Sequence, residues 1–206
     1  MHVRVITPPA PVVTPADIAG SHASDDPSVA SMIAAVTEEI DGPTGWLGRS
    51  LGPQTLEATG WIGCERFRLP CGPIIKITSV ITSDRDGVDV TEDAGSWRMD
   101  DDEIVVARGA AWVRRPVHRV RYIAGYNGDS GAGTGERQTG KVPERARQAI
   151  ILTVQHLKSL AVPSLYLKTD EVEGIGRKEF TLSEAANKVV ERTCDRLLAG
   201  LKVYRV

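Results

Sequence analysis

Between residues 54 and 126 apolar residues recur at alternate positions, whereas on either side they recur every third or fourth position. A period of two suits a strand with one buried face, and a period near 3.6 suits an amphipathic helix. The chain therefore carries both element types in separate blocks, with helices at the ends and strands between. No strand–helix–strand alternation occurs, so a parallel sheet is not expected. The fold class expected is α+β: a helical core made of N-terminal helices and two C-terminal helices, with an inserted antiparallel β region.

Local signals place the elements. Thr14-Pro15-Ala16-Asp17 has an N-cap hydroxyl and a proline at the first helical position, which opens a short helix over 14–21. Asp26-Pro27 repeats the device, and Val29, Met32, Ile33, Val36 and Ile40 then share a face until Gly42-Pro43 stops the helix. In the middle block Leu56, Ala58 and Gly60 alternate with polar neighbours, and so do residues 66–69. Ile75, Ile77 and Ile81 follow, and Asp86-Gly87 is a hairpin turn signal. Residues 97–99, 104–107 and 117–124 complete the short strands. Helical spacing resumes after Pro143 with Ala146, Ile150, Val154, Leu157 and Leu160. The capping box Thr181-Leu-Ser-Glu184 opens a last helix that aligns Val189, Val190, Thr193, Leu197, Leu198 and Leu201. Residues 1–13 fill with proline and read as an extended arm. Residues 127–141 read as a flexible glycine-rich loop, and 161–180 as a connector with no strong preference.

At 206 residues, 41% apolar and 25% charged, the chain can bury a core and reads as one domain, 1–206, with arms. A net charge of −2 with no strongly basic half argues against nucleic-acid binding by bulk electrostatics. The three cysteines form no C-x-x-C pair, so neither a disulfide framework nor a zinc site is expected. No apolar run approaches the ~20 residues that cross a bilayer, so no membrane partner is expected. The expectation is a soluble chain, intracellular at synthesis.

Candidate chemistry is sparse. Gly135-Glu-Arg-Gln-Thr-Gly140-Lys141 has the G-x-x-x-x-G-K spacing of a phosphate loop, but Val142 replaces the hydroxyl that would hold magnesium. Pro143 then removes an amide donor where a phosphate would need one. Asp100-Asp101-Asp102-Glu103 lacks the alternate spacing of a calcium loop and reads as a solvated turn. Arg114, Arg115, Arg119 and Arg121 form the basic cluster, which reads as a solvated or subunit-contacting face, with Arg119 and Arg121 on one side of an edge strand. The four histidines are scattered, and G-x-S-x-G is absent. No catalytic residue, cofactor or metal site is expected. Two other readings are a nucleotide-binding enzyme using the loop over 135–141 and a DNA-binding accessory protein using the 114–121 cluster.

Several pieces in order carry a resemblance. Ile6-Thr7-Pro8-Pro9-Ala10, Val13-Thr14, Asp25-Asp26 and Met32-Ile33-Ala34-Ala35 come first. Thr44-Gly45, Gln54-Thr55-Leu56-Glu57, Tyr122-Ile-Ala-Gly125-Tyr126, Val142-Pro143 with Ala149-Ile150-Ile151, Leu197-Leu198 and Tyr204-Arg205-Val206 follow. In this order they resemble the head–tail connector (adaptor) proteins of long-tailed bacteriophages and of phage-like gene transfer agents. Two departures stand out: Trp46-Leu-Gly48 is inserted before Arg49-Ser-Leu51, and Ala199-Gly200-Leu201-Lys202 separates the last leucines from Tyr204.

The resemblance implies a virion structural protein without catalysis. It would form a ring, of twelve copies in that family, beneath the portal, extend the DNA channel and join head to tail. Its partners would be the portal protein, a stopper or tail-completion protein and further copies of itself, with DNA passing unbound. It would act at the head–tail interface of the virion and be assembled in the bacterial host cytoplasm. By the same analogy the tail over 197–206 would dock on the portal through Leu197, Leu198, Leu201, Tyr204, Arg205 and Val206. Ring contacts would fall to Arg114, Arg115, Arg119 and Arg121 in the β region.

Overall fold

A computed structural model describes residues 1–61, 65–110, 112, 115, 117–128, 133, 135–159, 169–172, 176–179 and 184–203. The chain divides into two compact units. The first comprises Met1–Val12, Glu38–Val142 and Leu201–Val206; the second comprises Val13–Thr37 and Pro143–Gly200.

The first unit is built on antiparallel strands. They are β1 (His2–Thr7), β2 (Gln54–Gly60), β3 (Arg66–Arg68), β4 (Ile74–Ser83), β5 (Asp89–Thr91), β6 (Trp97–Asp100), β7 (Glu103–Val106) and β8 (Val117–Ala124). One sheet has the order β1-β2-β8-β4-β5, and a smaller one has the order β3-β7-β6. Alternation decides which side is buried. Leu56, Ala58, Ile77, Val80, Val120 and Tyr122 turn into a core that also takes Ile104 and Val106 from β7. The Tyr122 ring is wholly buried, and its hydroxyl donates to Pro70 O at 2.9 Å, so the polar end is satisfied within the core. The Asp86-Gly87 turn joins β4 to β5 as its sequence predicts, with Gly87 N donating to Asp84 O.

Two expectations change here. The N-terminal arm is extended, but residues 2–7 form the outer strand of the sheet, in register with β2 from His2↔Thr59 to Thr7↔Thr55. The sheet is thus not wholly an insertion between helices. In addition, β8 lies in the middle of its sheet, between β2 and β4, and is no edge strand.

The second unit is helical. It holds most of α1 (Pro27–Ile40), then α2 (Glu144–Ser159), the hairpin β9 (Thr169–Val172) and β10 (Gly176–Glu179), and α3 (Glu184–Ala199). Asp26 caps α1: its Oδ1 accepts from Ser28 N at 2.8 Å and from Val29 N at 3.4 Å. Val29, Ile33 and Val36 are buried, as the helical spacing requires. The turn over 14–21 is shorter than its signals suggest, a single 3-10 turn at Pro15–Asp17. Asp17 Oδ2 accepts from both the amide and the hydroxyl of Thr14, and these bonds hold its carboxyl below the usual range. Helices α2 and α3 pack together through Ala149, Thr153 and Cys194, with Thr153 Oγ1 at 3.4 Å from Cys194 Sγ. The hairpin β9–β10 falls in the stretch that reads as a featureless connector. The first three residues of the capping box, 181–183, lie outside the described residues.

Candidate functional site

The first cluster of interest is the polar face of the five-stranded sheet. Cross-strand register sets Arg4, Glu57 and Arg121 side by side on three adjacent strands. Arg4 Nη2 donates to Glu57 Oε1 at 2.7 Å, and Arg121 Nη2 donates to Oε2 at 2.9 Å. Glu57 is almost fully covered, at 3% exposure. Burial alone would raise its pKa, but the bonds and charges of Arg121 and Arg4 outweigh that and leave it lowered. Two strands on, Arg119 pairs with Asp89, and that carboxyl is held low by Ser83 and Arg119. Arg115 Nη1 donates to Thr82 Oγ1 at 2.7 Å and to Glu92 at 3.3 Å.

The basic cluster is therefore brought together only in part. Arg119 and Arg121 share the sheet face, Arg115 lies on a separate network, and Arg114 lies outside the described residues. Each described member is matched by a carboxylate: Arg121 by Glu57, Arg119 by Asp89 and Arg115 by Glu92. An edge-protecting role is corrected by the central place of β8, and a phosphate-gripping patch is disfavoured because the guanidinium charges are already compensated. Sequence reasoning missed Arg4, Glu57 and Asp89. The signal was the alternation of residues 2–7, which the prolines after it concealed.

The second cluster is where the C-terminal segment returns to the first unit. Val203 N donates to Leu47 O at 2.8 Å. Arg49 Nε donates to Leu201 O at 3.1 Å, and Arg49 Nη1 donates to the Tyr126 hydroxyl at 2.8 Å. Lys202 Nζ sits 5.4 Å from the centre of the Trp46 ring, a cation–π contact. Trp46 of the first departure from the connector pattern thus meets Lys202, the last residue of the second. Of the tail residues, Leu201 is buried in the first unit and Leu198 in the second, and Leu197 is half-buried. Tyr204, Arg205 and Val206 lie outside the described residues.

The phosphate-loop spacing over 135–141 does not build a phosphate cradle. Two of its amides are already engaged: Arg137 N donates to Ile75 O at 2.8 Å, and Thr139 N to Asn127 Oδ1 at 2.9 Å. Gly128 N donates to Gly140 O, closing the loop on itself. Nearby, a polar cleft of about 580 Å³ is lined by Arg66, Arg68, Asp100–Glu103 and Arg137. Asp101 and Asp102 form the turn between β6 and β7, and their carboxylates pair with Arg137 at 3.1 and 2.8 Å. Arg66 bridges Asp100 and Glu103. No group of three metal-ligating side chains occurs among the described residues. No helix among them is long and apolar enough to cross a membrane.

One titratable group is out of the ordinary. Asp41 is 5% exposed, and burial pushes its carboxyl up to about 6 despite bonds from Leu51 N at 2.8 Å and Gln54 Nε2 at 3.1 Å. It ties the end of α1 to the start of β2, a structural position.

No protein-family description and no curated protein matches the chain. Solved structures do match it, each covering 100% of this chain and 97% of the other. A chain in the neck of an empty GTA particle computed with C6 symmetry aligns with a TM-score of 0.63 at 16% identity. A chain in the virion of a native gene transfer agent particle aligns at 0.63 and 17%, and one in the neck of a native GTA particle computed with C12 symmetry at 0.61 and 16%. The chain has the fold of these particle components over its whole length.

Proposed function

We propose that this chain is a virion structural protein, a head–tail connector whose copies form a ring beneath the portal. The observation that carries the reading is the end-to-end match of its fold to chains from gene transfer agent necks and virions. The ordered sequence pieces that resemble connectors are independent support. The charge pattern agrees: arginines on the sheet face are compensated by Glu57 and Asp89, so the surface they form does not hold passing DNA strongly. Twelve copies is the stoichiometry suggested by the C12 neck.

In this reading the chain is not an enzyme. The C-terminal segment docks on the portal, with Leu198 and Leu201 serving as internal anchors and Tyr204, Arg205 and Val206 reaching the partner. A stopper or tail-completion protein binds the far side of the ring, and many modest contacts add through ring closure. The test is electron microscopy of this protein mixed with a portal protein from the same genome. The expected result is a closed ring of added density under the portal. Portal and free chain that remain separate at every salt concentration would overturn the role.

A further inference from the structure

The five-stranded sheet of the first unit is open, and among the described residues neither β1 nor β5 has a strand on its outer side. The exposed large apolar residues of that unit gather at these two edges. Met1, Val5 and Ile6 lie on or beside β1, with Trp61 just past the adjoining end of β2; Val88 and Val90 lie at β5. Unpaired strand edges are normally guarded by charge, proline or bulges because they template pairing with another chain. Here β1 has a bulge between Val5 and Thr7 and each edge carries an exposed charge, yet both also expose apolar side chains, and the two edges differ in net charge. Residues 1–7 contain one arginine and no carboxylate, whereas residues 84–93 contain five carboxylates and one arginine.

We propose that β1 of one copy pairs in parallel with β5 of the next, so that the sheets join edge to edge around the ring. This inference rests on the ring-forming role given above. Strand direction agrees with it. Every neighbouring pair from β1 through β2, β8 and β4 to β5 is antiparallel, so β1 and β5 run the same way. A rotation about an axis along the strands keeps that direction, and contact between two different edges is the heterologous kind that closes rings.

The faces agree as well. Val5 is in register with Leu56 and Tyr122, and Val90 with Thr82 and His118, all on the core side of the sheet. Arg4 and Asp89 lie on the polar side, with side chains 58% and 52% exposed. One parallel register places Val5 beside Val90 and Arg4 beside Asp89 together. An antiparallel register with Val5 at Val90 would set Arg4 against Thr91 instead. Because β5 has three residues, the ladder is short, and the apolar and charged side chains supply the rest of the contact.

The experiment is disulfide trapping in assembled particles carrying Val5→Cys and Val90→Cys in the same chain, with the wild type and each single variant alongside. Both positions are partly exposed, at 43% and 37%, so the substitutions are compatible with the fold. The expected result is a ladder of multimers on a non-reducing gel from the double variant, and monomer from the other three. A double variant incorporated into particles without a ladder overturns the pairing and leaves the ring role standing. Dimers from Val5→Cys alone reveal a two-fold β1–β1 contact, which also overturns it. A wild-type chain absent from the particles overturns the connector role and the pairing with it.

Discussion

Asp41 should give the folded chain a pH response opposite to that of most carboxylates. Its folded pKa, about 6, lies above the unfolded 3.8, so the native state holds the proton more tightly in between. Stability from this residue is therefore greatest below pH 4 and falls as pH rises through 6, by roughly 3 kcal/mol at about 1.4 kcal/mol per pKa unit. Glu57 acts in the other sense: its folded pKa is lowered, so its contribution is present above 4.5 and lost on acidification. Comparing wild type with Asp41→Asn isolates the first effect. Denaturant unfolding between pH 4 and 7 should show the wild type losing stability relative to the variant; a constant gap would refute the assignment. At Gly125 the constraint is steric. Its φ is +126°, and a Cβ there would lie 2.3 Å from Gly52 O, so Gly125→Ala should cost about 3 kcal/mol or more and lower the melting temperature accordingly.

At the scale of elements, the C-terminal segment and the turn over 46–49 act as a latch within the first unit. Arg49 is its hub, since one guanidinium holds both the Leu201 carbonyl and the Tyr126 hydroxyl. Arg49→Ala should free the segment, seen as faster amide exchange and earlier proteolysis around residues 201–203, at a cost of about 1–3 kcal/mol from the stranded partners. Unchanged protection there would mean that Val203 N to Leu47 O suffices. The loop over 135–141 makes a different prediction. Since its amides at 137 and 139 are already bonded, magnesium with ATP or GTP should leave the melting temperature unchanged in the wild type and in Lys141→Ala alike. A nucleotide-dependent rise that Lys141→Ala abolishes would restore the enzyme reading.

For the molecule as a whole, most element types were legible and most partnerships were not. The strands from β2 to β8 and the helices α1, α2 and α3 follow from periodicity, caps and the Asp86-Gly87 turn, because these are local effects of a few neighbouring residues. The extended state of residues 2–7 was legible too, but not their place as a sheet edge, since that depends on β2 about fifty residues away. The arginines at 119 and 121 could be assigned to one strand face. That they sit mid-sheet, Arg121 opposite Glu57 and Arg119 reaching Asp89 two strands away, required the order β1-β2-β8-β4-β5. By itself the sequence determined the α+β composition and the resemblance to connectors, both of which are properties of contiguous residues. Only the tertiary structure decided that the segments at 46–48 and 201–203 meet, and that the sheet ends in two unlike apolar edges. Those facts rest on contacts between residues distant in the chain, which the hydrophobic effect brings together without leaving a local pattern to read.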